Sequence, residues 1–245
     1  MKSTKLDYLL LAVGLLLVWQ VLYWGAGPSV VSSPAVTAMR AFQLVRTEAF
    51  WVHAASTGAA FALASVISIV GGTMLGLWLG LRRFAGDVAD PILSTLYSIP
   101  KITLYPLILL MFGLGASAKV AFGVIHGVIP IAIFSMNAVR NVAPIYHRTA
   151  RIMRLSPLAT VVTIMGPAAL PEILTGIRIG IALTLFGTLI GELFASTSGL
   201  GFALMRATDI HAVPDILAIT LLLFLFAASL NALLHVIERR ARHNA

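Results

Sequence analysis

The chain has no cysteine, and only nine of its 245 residues are Asp or Glu. The first absence excludes disulfides and thiolate metal sites. Charge of either sign is sparse. Lys, Arg, Asp and Glu together make up 11% of the residues, where soluble domains carry about a quarter. Three chemical patterns are missing as well: a GxxxxGK[ST] phosphate loop, a zinc-binding HExxH helix and a Ser-His-Asp arrangement. His53, His126 and His211 are scattered without metal-ligand spacing. Catalysis and nucleotide chemistry are therefore not expected on this chain.

What remains is apolar. Hydrophobic residues make up 59% of the sequence, and mean hydropathy is +0.97. A soluble domain of this size cannot enclose that much apolar surface, so the bilayer is the expected solvent. The formal net charge of +8 does not point to nucleic acid. The basic residues sit in short segments between apolar runs, where orientation signals belong.

Six apolar runs predict an all-α, polytopic membrane protein forming one transmembrane domain over residues 1–245. The first run covers residues 8–24 behind Lys2 and Lys5, and reads as a span rather than a cleaved signal. A less hydrophobic stretch at 37–56 is expected to lie along the interface. The second span, about 57–81, is peppered with Gly58, Gly71, Gly72, Gly76 and Gly80, which suits close helix packing. The third, about 91–112, is interrupted by Pro100, Lys101 and Pro106. Proline removes a donor and clashes one turn back, and a broken helix in lipid is tolerated only against protein or water. This span is expected to line a path. The fourth covers about 120–139 with Asn137 available to bond across helices, the fifth about 172–194 starting at Pro171, and the sixth about 214–237.

Counting Lys and Arg gives the orientation. With both termini inside, the inner side holds Lys2, Lys5, Arg82, Arg83, Arg140, Arg148, Arg151, Arg154, Arg239, Arg240 and Arg242. The outer side holds Arg40, Arg46, Lys119 and Arg206. This asymmetry predicts cytoplasmic termini. Residues 146–171 then face the cytoplasm, with His147, Arg148, Arg151 and Arg154 and no acid before Glu172. Pro144 suits the first turn of a short helix. Ser156-Pro157 reads as an N-cap and first-turn proline, and Gly166-Pro167 as a further break. A short basic helix held between breaks can act as a lever for a cytoplasmic partner.

This segment resembles the cytoplasmic signature of binding-protein-dependent ATP-binding cassette (ABC) importer permeases: Glu-Ala-Ala, three residues, Gly, nine residues, Ile, one residue, Leu-Pro. Ala150, Ile164 and Pro167 match in register. Arg148 replaces the Glu, Thr149 the first Ala, Arg154 the Gly and Gly166 the Leu. The flanks PAALPEILTGIRIGI, GELFASTSGLGFAL and IPKITLYPLILLMFGLG resemble the nitrate, taurine and aliphatic sulfonate permease branch. The resemblance covers residues 56–245 and implies the type I importer permease fold in a bacterial inner membrane. It implies a second permease subunit, identical or paralogous, and a solute-binding protein outside. It also implies cytoplasmic ATPase subunits that carry ATP and Mg, with no cofactor on this chain. The coupling segment, about 141–171, would dock the ATPase through Arg148, Thr149, Ala150, Arg151, Arg154, Leu155 and Ser156. Ser98, Lys101, Tyr105, Asn137 and Glu192 are expected along the translocation path of a small organic or inorganic anion. An ion-gradient-driven secondary transporter is the alternative. It needs buried carboxylates for coupling, and Glu192 is the one candidate.

Overall fold

The computed structural model describes residues 3–244, all of whose regular elements are helical. Helix α1 spans Ser3–Ala26 and α2 Pro34–Leu44. Ser33 caps α2 by accepting the Val36 N–H at 3.3 Å, and Pro34 fills a first-turn position that needs no donor. Helix α3 covers Glu48–Leu81, with Thr47 accepting from the Phe50 N–H at 3.3 Å. The stretch expected along the interface is thus two pieces, α2 and the first turns of α3, divided by this cap.

The third span is bent. Helix α4 runs Arg83–Ser98. A 3-10 turn then covers Lys101–Leu104, and α5 runs Tyr105–Phe112. The two arms meet at 89°. Pro100 makes the break. Pro106 falls in the first turn of α5 and is absorbed without one. Helix α6 covers Ala116–Arg140, α7 Pro144–Ile152 and α8 Pro157–Thr160. A π turn at Val161–Met165 leads into α9, Gly166–Ala195, followed by α10, Leu200–Asp209, and α11, Val213–Asn244. The fifth span therefore starts at Gly166, and Pro171 lies inside the helix instead of opening it. In the wider turn that precedes α9, carbonyls move away from where the Pro167 ring would strike them, so the chain need not break there.

Among the described residues, five helices are long and apolar enough to cross a membrane, and the count is six if the bent pair is taken as one span. Helices α3, α6 and α9 form the centre. Helix α3 buries a stripe of small residues, Ala60, Ala64, Ser68, Gly72 and Gly76. Helix α9 answers with Gly176, Gly180, Thr184, Gly187 and Gly191. Lipid offers helices no hydrophobic reason to associate, so close backbone approach and dispersion hold them together. At Gly76 a Cβ would stand 2.4 Å from the Ala132 carbonyl oxygen. Gly72 and Gly80 lie equally close to α6, whereas Gly58 has open space and Gly71 only ordinary contact. From Leu9 onward helix α1 is largely exposed and presents its leucines outward, as a lipid-facing helix does. Arg40 of α2 makes a two-pronged ion pair with Asp215 in the first turn of α11. Donating to the Asp215 carboxylate raises the pKa of the Arg40 guanidinium above its usual value.

Candidate functional site

Three places gather polar side chains. The first lies where the N-terminal parts of α3 and α6 meet the C-terminal end of α9. Lys119 is 2% exposed and Glu192 0%, with Nζ 3.3 Å from Oε1. Lys119 also donates to Ser56 Oγ at 2.7 Å and to the Ser198 carbonyl at 3.2 Å. Glu192 Oε2 accepts from Thr57 Oγ1 at 2.8 Å and from the Gly201 N–H at 2.9 Å. Thr57 Oγ1 in turn accepts the Leu200 N–H, and His53 Nδ1 accepts the Gly199 N–H. The loop at 196–199 is therefore pinned to two helices. Gly199 has φ +122°, and a Cβ there would meet Glu192 Oε1 at 2.1 Å, so no side chain fits.

This arrangement departs from the sequence reading in one respect. Lys119 is not an outer-loop charge. It lies in the first turns of α6 with its ammonium enclosed, because Glu192, Ser56 and Ser198 together replace its water. Ser56, Thr57, Ser198 and His53 had no motif to mark them. One signal was available: the predicted topology places Lys119 and Glu192 at the same outer depth with opposite charge.

The second place is the bent span. Ser98 ends α4, exposed, and bonds back to the Ser94 carbonyl at 2.9 Å. Lys101 is half-buried, and its Nζ donates to the Tyr97 carbonyl at 3.0 Å. Lys101 and Tyr105 do not share a hydrogen bond. Tyr105 instead donates its OH to the Phe194 carbonyl at 2.6 Å and stacks against Phe122, with ring centroids 6.2 Å apart. Asn137 is half-buried near the inner end of α6, and among the described residues its side chain makes no hydrogen bond across helices. Glu192 belongs to the outer cluster, far along α9 from Arg178. Arg178 has its own carboxylate: Nε lies 2.8 Å from Glu238 Oε2 and joins α9 to α11 at the inner end.

The third place is the segment after α6. The expected N-cap is present, with Ser156 Oγ accepting the Ala159 N–H at 3.2 Å. Helix α7 buries Ala150 and leaves Arg148 and Thr149 exposed, and Ile152 is 82% exposed. The side chains of His147 and Arg151 lie outside the described residues. The chain leaves α7 through Arg154 at φ +50°, with Leu155 N–H returning to the Ala150 carbonyl at 3.1 Å. A left-handed residue at a helix end is the position glycine fills most easily. That is the register where the signature has Gly and this chain has Arg154.

Comparison with known proteins agrees with this architecture. Residues 68–243 match the family described as binding-protein-dependent transport system inner membrane component. A probable ABC transporter permease protein of Haemophilus influenzae is 29% identical over 224 residues, covering 91% of each chain. The taurine transport system permease protein TauC of Escherichia coli is 29% identical over 190 residues, covering 78% of this chain and 69% of its own. The nitrate import permease protein NrtB of Synechocystis is 28% identical, covering 92% and 88%. Among solved structures, the inward-facing MetNI methionine ABC transporter aligns with a TM-score of 0.65 at 18% identity, over 78% of this chain and 96% of its own. That likeness carries the fold. The family match, over most of the chain and on an apolar helical bundle, places this protein among the inner-membrane components of binding-protein-dependent transport systems, as a multi-pass ABC permease subunit, which is a transport component.

Proposed function

We infer that the whole chain, residues 1–245, is one transmembrane domain that forms a translocation path together with a second permease subunit. Residues 141–171 are its coupling segment, and both termini are cytoplasmic, which the Lys and Arg asymmetry supports. ATP and Mg reside on cytoplasmic ATPase subunits, and a solute-binding protein delivers substrate from outside. Docking uses Arg148, Thr149, Ala150, Arg151, Arg154, Leu155 and Ser156. One observation carries this reading: α7 is a short helix isolated by breaks, acid-free, anchored through Ala150 and exposing Arg148 and Ile152. Arg148 reverses the charge of the signature's Glu, which is met either by compensating acidic groups on the ATPase or by pairing with a second, more typical permease.

The transported solute is a small anion. Ser98, Lys101, Tyr105 and Asn137 line the path on the bent span and α6. Glu192 was read as a path residue too, but its burial and its saturated oxygens favour a role in fixing the outer loop. The same saturation weighs against ion-gradient coupling, since a coupling carboxylate has to exchange its ion. Purification of the tagged chain in mild detergent tests the reading. An ATPase subunit is expected to co-purify with wild type and to be lost from Arg148→Glu/Arg154→Glu, with membrane insertion unchanged. Absence of any ATPase from the wild-type preparation would overturn it.

A further inference from the structure

A cavity of about 460 Å³ lies between α3 and α11, beside the corner where α2 gives way to α3. Trp51, Gly58 and Phe61 of α3 face it, with Leu222 and Phe226 of α11 opposite and Val45 at the corner. Phe61 and Phe226 meet edge-on, with ring centroids 6.4 Å apart. The two-pronged pair of Arg40 with Asp215 clamps α2 to the start of α11, so the corner is fixed in place.

The wall has no polar side chain to spare. The Trp51 indole N–H donates to the Val45 carbonyl at 2.8 Å. Thr57, the one hydroxyl among the lining residues, donates to Glu192 Oε2 at 2.8 Å and accepts the Leu200 N–H at 2.8 Å. Such a surface offers nothing to a polar solute, and water gains nothing by entering it.

The dimensions select the occupant. From Trp51 to Phe61 the wall runs ten residues along α3, about 15 Å at 1.5 Å per residue. The hydrocarbon core of a bilayer is about 30 Å thick, so the cavity has the depth of one leaflet. About one turn of a helix 10 Å wide would fill the same volume, too short a segment to be a docked span. At the mouth stands Arg46, next in the chain to Val45. It is exposed, its guanidinium lies 4.1 Å from the Phe42 ring centroid, and it forms no salt bridge among the described residues. A tryptophan and a free cation where a span meets the interface are placed at the level of lipid headgroups.

We propose that this cavity binds one phospholipid, with an acyl chain between α3 and α11 and an anionic headgroup on Arg46. The proposal rests on the membrane-embedded fold and not on the path assigned to the solute.

The test uses the full-length tagged chain, purified in mild detergent with its co-purifying subunits and then delipidated. Dioleoyl phosphatidylglycerol and dioleoyl phosphatidylcholine are the probes, read by native mass spectrometry and by thermal unfolding. Wild type is expected to bind the glycerol lipid about fivefold more tightly than the choline lipid, the effect of one basic residue at an anionic headgroup, and to melt at a higher temperature with it. Gly58→Leu fills the cavity without moving the helix, because a Cβ at Gly58 meets nothing within 4 Å. That variant is expected to bind both lipids at least about tenfold more weakly, since the buried acyl chain is lost, and to melt without responding to them. Arg46→Gln is expected to bind the two lipids equally. Full lipid binding by Gly58→Leu, a headgroup preference retained by Arg46→Gln, or no preference in wild type would overturn the proposal. So would a Gly58→Leu chain that keeps its lipid but no longer pairs with a second permease subunit, which would assign the cavity to that subunit.

Discussion

Lys119 and Glu192 come from different helices, and each buries its charge against the other, with Nζ 3.3 Å from Oε1 at exposures of 2% and 0%. Neither is tolerable alone in that setting. A buried ion loses several kcal/mol of hydration, and the loss is recovered only when a counter-charge and further hydrogen bonds are in place. Here Ser56, Thr57, Ser198 and the Gly201 N–H provide those bonds. The N-terminal parts of α3 and α6 are therefore tied to the loop at 196–199 by this ion pair and its hydrogen bonds, beside the apolar cluster of Ile108, Ala118, Phe122 and Ala195.

Removing one partner should cost more than removing both. Lys119→Met and Glu192→Gln are each expected to lower stability by about 3–5 kcal/mol, because each leaves a buried polar group uncompensated. The double variant is expected to cost less than the sum. Thermal unfolding of the purified chain in detergent measures all three.

Glycines along α3 should differ sharply in their tolerance of a methyl group. Gly76→Ala drives a Cβ to 2.4 Å from the Ala132 carbonyl and must push α3 away from α6. Gly58→Ala meets nothing within 4 Å and gains helix propensity of up to about 1 kcal/mol. The expected outcome is poor yield and a lowered melting temperature for the first, and neutral or slightly raised stability for the second.

Arg154 occupies left-handed backbone at φ +50°, which costs a residue with a side chain about 1–2 kcal/mol relative to glycine. Arg154→Gly should relieve this and slow amide exchange at Leu155, whose N–H closes the turn onto Ala150. Hydrogen-exchange mass spectrometry of the segment at 150–156 reads it directly. If docking uses the guanidinium, the same variant binds the ATPase more weakly despite the firmer turn.

The arm that follows the bend at Pro100 is hydrogen-bonded to α9 through the Tyr105 phenol and packs on it through Ile108. Tyr105→Phe removes the 2.6 Å bond to the Phe194 carbonyl while leaving the stack on Phe122. A loss of about 0.5–1.5 kcal/mol is expected. The accompanying sign is a higher rate of thiol labelling at a cysteine placed at Ile102, measured with a water-soluble reagent.

Much of this protein was legible in the residues. Long apolar runs bounded by Arg and Lys marked where the spans fall, because lipid demands that length and that composition, though α3, α4 and α9 begin six to nine residues before the predicted starts. Pro100 announced the broken third span, and Ser156-Pro157 the start of α8, since both act through local backbone chemistry. The glycines of the second span announced close packing, though three of the five make it and two do not. Which face of α3 turns inward depends on its neighbours, and no residue in α3 states that. Pro171 was misread for a related reason: proline at a helix start and proline inside a helix look alike until the π turn ahead of it is seen.

The charged residues mark the boundary most sharply. The sequence by itself determined that this is a membrane-embedded helical protein with a basic, acid-free segment between its fourth and fifth spans. Tertiary structure alone decided that Lys119 is an interior ion paired with Glu192, 73 positions away, while Lys101 forms no salt bridge among the described residues and turns its ammonium back to the Tyr97 carbonyl. The reason is physical. A residue's type fixes what an ion needs when it leaves water, but only the packing of distant helices fixes whether that need is met.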